Sequence, residues 1–188
     1  MKVRQAAIAD YDGILTLHRT YHTDYIQPQD RPDGFVTTNF SLSQLERLIQ
    51  DGGVTIAQDE EGTVVSYAMA APWTFWAEWP FFAYMIAKLP ENSLNGQTLS
   101  VENSYQYGPI CVHKSMRGTG LFEQVFYSSL ASMRNRYPIM ATFINQINHR
   151  SYAAHTRKVP MTVSGTFQFN QNDYYLLACP TSLTEKEI

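Results

Sequence analysis

The stretch Val112-His-Lys-Ser-Met-Arg117-Gly118-Thr119-Gly120-Leu121-Phe122 carries the residue types and spacing best suited to chemistry. It lies between an apolar, strand-like run and an amphipathic, helix-like run. A glycine-containing loop that opens a helix turns several backbone N–H groups one way, and the helix dipole adds positive potential at that end. Such an end suits a pyrophosphate. It is not a Walker loop, because the Gly-Lys-Ser/Thr ending is absent, and the three-glycine spacing of a dinucleotide fingerprint fails. A second segment of interest is Asn148-His-Arg-Ser151-Tyr-Ala-Ala-His155, which sets an amide, a hydroxyl and an imidazole at near-helical intervals.

The first segment resembles the phosphate motif of the GNAT superfamily of acetyltransferases: Gln/Arg, two residues, Gly, one residue, Gly/Ala. Arg117, Gly120 and Phe122 fall on its three fixed positions, with Phe122 standing where the family has a residue with almost no side chain. The second segment is similar to the family's Asn, two residues, Ser/Ala, three residues, Tyr, with His155 in place of the Tyr. The resemblance extends over nearly the whole chain in the order of its elements. It implies acetyl-CoA as co-substrate, its pyrophosphate held by Arg117, Gly118, Thr119, Gly120, Leu121 and Phe122. It also implies that the backbone of Ile110, Cys111 and Val112 pairs with the pantetheine amides and polarises the thioester carbonyl, and that Asn148 and Ser151 help to hold the pantetheine arm. In the family the Tyr protonates the departing thiolate. An imidazole at His155 can donate a proton too, or simply pack at the cofactor's edge.

Direct transfer needs a neutral amine, so a base within reach would help. Glu102, just before the strand that leads into the loop, and Glu78 are the candidate carboxylates, with Glu102 preferred; either can equally be a solvated surface residue. His113 matches a loop histidine of the family that has no proton-transfer role. Cys111 and Cys179 sit in apolar runs and read as small buried hydrophobes rather than nucleophiles or a disulfide. His18 and His22 are one helical turn apart, but no Glu follows His18 in the metalloprotease pattern and no cysteine cluster supports them. They read as a partly exposed helix face, and no metal is expected.

The elements that must position these groups follow from periodicity and turn chemistry. Met1 to Ala6 reads as a strand, and Asp10 can cap a helix carrying Tyr11, Ile14, Leu15 and Tyr21. Ser41 and Gln44 have capping-box spacing ahead of Leu42, Leu45, Leu48 and Ile49, and Gly52-Gly53 ends that helix. Val54 to Gln58 and Thr63 to Ala71 form a hairpin around Asp59-Glu60-Glu61-Gly62. Residues 73 to 105 read as an aromatic insertion with one helix, Phe81 to Leu89, stopped by Pro90. The insertion can serve as core, pocket wall or subunit contact. Tyr107 to Val112 is a strand, Leu121 to Arg136 a helix and Ile139 to Ile144 a strand, which makes a parallel pair. Pro109 cannot donate to a ladder, so it belongs at an edge or bulge, where the family's strand pair splays. A helix over Ser151 to Lys158 and strands Thr162 to Phe169 and Asp173 to Cys179 complete the chain.

The expected fold is α/β: one GNAT-like domain over 1–188, with a mixed, mostly antiparallel sheet, a splayed central parallel strand pair and flanking helices. The 188 residues suffice for a continuous core, and 44% hydrophobic against 16% charged residues marks a globular chain. A net charge of −3 offers no basic stripe for nucleic acid. Without a signal-peptide run or a stretch of roughly 20 apolar residues, no membrane association is expected and the cytoplasm is the expected location. The expected function is N-acetyl transfer to a primary amine of a small molecule, with a homodimer allowed. The alternatives are a non-catalytic acyl-CoA-binding module, or acetylation of a protein N-terminus or lysine.

Overall fold

The computed structural model describes residues 1–185, Asp33 by its backbone alone. Its contacts gather into two compact units, each assembled from two stretches of chain: Met1–Met69 with Gly108–Ser132, and Ala70–Tyr107 with the chain from Met133 onward.

The first unit begins with β1 (Lys2–Gln5), antiparallel to β2 (Val54–Gln58), which pairs in turn with β3 (Val64–Ala71). The turn between β2 and β3 is built by Asp59, whose carboxylate accepts from Glu61 N–H at 3.0 Å and Thr63 N–H at 2.8 Å. Helix α1 (Tyr11–Tyr21) buries Ile14, Leu17 and Tyr21, and α2 (Leu42–Gln50) buries Leu45, Leu48 and Ile49. The capping box of α2 forms: Ser41 Oγ accepts from Gln44 N–H at 3.2 Å, and Gln44 Oε1 accepts from Ser41 N–H at 2.8 Å. Leu42, expected on the apolar face, is 61% exposed.

Asp10 occupies the N-cap position of α1 but makes no side-chain cap bond to it. Its carboxylate instead takes the Arg4 guanidinium through two 2.7 Å contacts and the Ala7 N–H at 2.8 Å. A bidentate, charge-assisted pair is stronger than a single bond to a helix N–H, so Arg4 wins the carboxylate.

The second unit holds the start of β6 (Ser104–Val112), then β7 (Ile139–Asn145), β9 (Asn172–Pro180) and β8 (Thr162–Phe169). β7 and β9 are antiparallel, as are β9 and β8. Since β6 runs through both units, the strands follow the order β1-β2-β3-β6-β7-β9-β8 in one mixed, mostly antiparallel sheet of seven. The parallel ladder between β6 and β7 comprises Ser104↔Ile139, Tyr105↔Met140 and Gln106↔Ala141, while β6 runs on through Pro109 to Val112 and β7 to Asn145. Pro109 sits inside the strand, after a cis peptide bond from Gly108 and beyond the paired residues. A residue without an N–H costs no bond of the β6–β7 ladder there.

The insertion is richer than one helix. It comprises α3 (Trp73–Trp76), α4 (Pro80–Lys88), a 3-10 turn at Leu89–Glu91 and a hairpin of β4 (Ser93–Leu94) and β5 (Gln97–Thr98). Trp73, Phe75, Trp76, Phe82, Met85 and Leu89 are buried, so the insertion supplies core to the second unit. Burial of each such side chain is worth about 1.5–3 kcal/mol. Two further α-helices are α5 (Leu121–Met133), which follows the glycine loop, and α6 (His149–Arg157), which precedes β8.

Candidate functional site

In the first unit, β6 delivers the chain into the glycine loop. His113 N–H donates to Val65 C=O at 2.8 Å, which anchors the exit of the strand against β3. A single 3-10 turn, Lys114–Met116, follows, with Ser115 N–H donating to His113 Nδ1 at 3.3 Å. This gives His113 a capping role. Thr119 Oγ1 donates to Met116 C=O at 2.7 Å and closes the loop on itself. Gln124 N–H donates to Gly120 C=O at 3.2 Å, the first bond of α5.

Gly118 and Gly120 both have left-handed backbones, φ 81° and 83°. A Cβ at either would meet nothing within 4 Å. Glycine is therefore demanded by the dihedral, not by crowding, and the space above both residues is open to a ligand. Arg117 directly precedes the first of these glycines, its Nε donating to Val112 C=O at 3.2 Å, and Lys114 is an exposed residue of the same loop. Phe122 does not fill the open space. Its ring is half-buried and stacks along α5 on Phe126, centroids 6.4 Å apart at 29°. Along β6, Ile110 and Val112 are half-buried and Cys111 is buried. The Cys111 carbonyl accepts from Ser66 Oγ at 2.8 Å, and burial pushes its thiol up to about 12. The residues present thus fit a diphosphate at the loop: N–H groups of a left-handed turn and a helix start, two cations and open space.

In the second unit, Asn148 caps α6, its Oδ1 accepting from Ser151 N–H at 3.2 Å. His155 is 3% exposed, and its Nδ1 lies 2.8 Å from Ser151 C=O. A carbonyl only accepts, so Nδ1 carries the proton and Nε2 the lone pair in the neutral ring. Burial pulls its pKa down to about 4. At neutral pH this ring has no proton at Nε2 to give, which removes the physical basis for protonating a thiolate from that atom. Its edge packs on Tyr107, centroids 5.9 Å apart. Glu102 is fully exposed, and a hydrogen bond from Ser100 holds its carboxyl below the ordinary range. A solvated carboxylate so held is a weak base. Glu78 is exposed as well.

The remaining candidates resolve simply. Both cysteines are buried and reduced, and burial pushes Cys179 up to about 12. His18 and His22 depart from the partly exposed face expected of them, being 5% and 2% exposed. His18 is fixed by Tyr67 and Thr38, residues 49 and 20 positions away, which helix spacing cannot reveal. Among the described residues no group of three or more His, Cys, Asp or Glu could hold a metal ion, and no helix is long and apolar enough to cross a membrane.

No protein-family model matches the chain, and no curated protein matches it by sequence. Solved structures do match its fold. A Streptococcus mutans protein, smu.2055, aligns with TM-score 0.63 at 13% identity over 96% of this chain and 99% of its own. The protein yncA of Salmonella typhimurium, solved with its cofactor acetyl-CoA, aligns with TM-score 0.61 at 17% identity over 98% of this chain and 95% of its own. A GNAT-superfamily phosphinothricin acetyltransferase of Sinorhizobium meliloti, in complex with acetyl-CoA, aligns with TM-score 0.61 at 16% identity over 95% and 87%. The chain has the fold of the GNAT N-acetyltransferases.

Proposed function

We propose that this protein transfers the acetyl group of acetyl-CoA to a primary amine by direct attack. The observation that carries the reading is the loop from Val112 to Leu121: two left-handed glycines with open space above them, Arg117 directly before them, and α5 opening behind. Proteins of the same fold have been solved with acetyl-CoA, which supports that ligand class.

In this reading the loop and the start of α5 hold the pyrophosphate. The backbone of Ile110 to Val112 runs beside the pantetheine and can polarise the thioester carbonyl toward attack. The amine's electron pair attacks that carbonyl, the carbon–sulfur bond breaks, coenzyme A leaves as a thiolate, and the proton shed by the acetylated nitrogen passes to solvent or to that thiolate. Cys111 and Cys179 take no part, since buried thiols near pKa 12 supply almost no thiolate at neutral pH. Asn148 and Ser151 remain candidates for the pantetheine arm, and their visible work is to cap α6.

A second reading, a module that holds acyl-CoA without turning it over, is favoured by His155, whose ring proton is committed to Ser151. One experiment separates the two. Calorimetry with CoA is followed by incubation with acetyl-CoA and a panel of small amines, N-terminal peptides and lysine peptides, with thiol release and product mass as readouts. Thiol release with an acetylated product establishes the enzyme and its acceptor class. CoA binding without turnover establishes the module, and absence of CoA binding overturns both.

A further inference from the structure

Tyr21 is the last residue of α1 and is 4% exposed. Three groups from the glycine loop converge on it within the first unit. Its hydroxyl accepts from Lys114 N–H at 2.8 Å. The Arg117 guanidinium carbon lies 5.1 Å from its ring centroid, and the His113 ring meets it edge-on at 6.2 Å and 76°. The backbone of Tyr21 is anchored as well, its C=O accepting from Val36 N–H at 3.0 Å.

We propose that Tyr21 is the positioning residue of the anion-binding loop, holding the Arg117 guanidinium on its ring face and the Lys114 amide on its hydroxyl in the arrangement that receives the diphosphate of a coenzyme A donor. The inference rests on the reading that the loop binds CoA. The Arg117 side chain is held by Val112 C=O at Nε, 3.2 Å away, and lies over the Tyr21 ring. A long side chain ordered before binding loses less entropy on meeting its ligand, which is how preorganisation raises affinity. Lys114 and Arg117 lie at the two ends of the 3-10 turn. One side chain from α1 therefore fixes both ends of the segment that enters the glycines.

The test is a double-mutant cycle read as CoA affinity by calorimetry, on the parent, Tyr21→Leu, Arg117→Ala and the double variant, with circular dichroism to report folding. Tyr21→Leu should weaken CoA binding about tenfold or more, the scale of a lost desolvated cation–π contact. On the Arg117→Ala background the same change should have clearly less effect, because the two residues act as a unit. A residue that only packs α1 predicts additive effects. Additivity, or parental affinity in Tyr21→Leu, overturns the inference. If the Leu variant fails to fold, Tyr21→Phe carries the test: it keeps the ring and releases Lys114, so binding should weaken about threefold, and an unchanged affinity overturns the role of the hydroxyl. A parent that does not bind CoA overturns the reading of the loop beneath it, a result separate from any behaviour of Tyr21.

Discussion

The Tyr67 hydroxyl sits 2.7 Å from Nδ1 of His18, and the opposite ring nitrogen, Nε2, sits 2.8 Å from Thr38 C=O. The carbonyl forces the proton onto Nε2, so Nδ1 accepts and Tyr67 donates. This arrangement suits the neutral ring only: a second proton on Nδ1 would meet the Tyr67 hydrogen. The groups facing His18 are Tyr67 from β3, Thr38 and Phe40 from the segment before α2, Arg19 from α1 and His22 directly after that helix. Burial chiefly, then Coulombic repulsion from His22 and Arg19, pulls its pKa down to about 4, against some opposition from the bond to Thr38.

A pH dependence of stability follows. Between about 4 and 6.5 the unfolded chain takes up a proton at this position that the folded chain refuses. Stability should be full above pH 6.5 and fall as pH drops toward 4, by on the order of 3 kcal/mol for this group. His155, also pulled down to about 4, adds a comparable share in the same window. Urea unfolding at pH 7.5 and 5.0 reads the upper part of this window for the two histidines together. His18→Gln should lower stability at pH 7.5 and flatten the dependence, leaving the share of His155. A variant with the parental slope would show that His18 is not the linked group.

Tyr67→Phe isolates the hydroxyl. Loss of the donor leaves Nδ1 of a buried imidazole without Tyr67, which should cost about 1–3 kcal/mol. Urea unfolding at pH 7.5 checks this, and a neutral effect would mean that the Tyr67–His18 bond carries no net stabilisation.

Gly120 provides a test of the loop. A Cβ there would meet nothing of the protein within 4 Å, so Gly120→Val strains the backbone by placing a β-branched residue at φ 83° and intrudes on the space assigned to the diphosphate. The strain is of order 1–3 kcal/mol, relieved most cheaply by distorting the loop. CoA affinity should fall about tenfold or more while the fold persists. Gly120→Asn, a residue that tolerates left-handed backbone, should fall between Val and the parent. Equal affinities in all three would place the diphosphate elsewhere.

The thiols are predicted to be silent. Both cysteines are buried with thiols near pKa 12, so a disulfide reagent should label neither in the folded protein and both in urea. Intact mass after incubation with acetyl-CoA should show no acetyl adduct. An adduct on Cys111 would replace direct transfer with a covalent route.

Local chemistry was the legible part of this sequence. Ser41 and Gln44 form their capping box and Asp59 builds its turn, both within a few residues of chain. The glycine loop was legible for the same reason, since its dihedrals and the helix behind it are local. What was hidden depends on partners far away in sequence. Asp10 gives up α1 for Arg4 of β1, and His18 is buried by Tyr67 and Thr38. Tyr21 reads as one apolar position among several until the loop 93 residues later lands on it. The one-turn α3 and the two-residue strands β4 and β5 are too short for any periodicity to register.

His155 is where the family pattern and the physics of this chain part. The pattern puts a proton donor there, and a phenol could be one. This imidazole spends its only proton at neutral pH on Ser151 C=O at 2.8 Å, and a pKa pulled to about 4 denies it a second. As an imidazolium it would donate well, but at pH 7 only about one ring in a thousand is in that form by the same displacement. The expected outcome for His155→Ala is therefore a loss of stability of about 1–3 kcal/mol, since a buried ring is removed together with its bond to the Ser151 carbonyl. Single-turnover transfer at saturating acetyl-CoA should change less than about tenfold between pH 7 and 9, because the loss removes no acid acting there. His155→Asn, which can still donate to Ser151 C=O, should recover stability better than His155→Tyr. The measurement that decides is the single-turnover rate across pH for the Ala variant beside its urea unfolding curve. A fall in rate of about 10²-fold or more with stability intact would restore His155 as the proton donor and require a bound state in which its proton moves to Nε2.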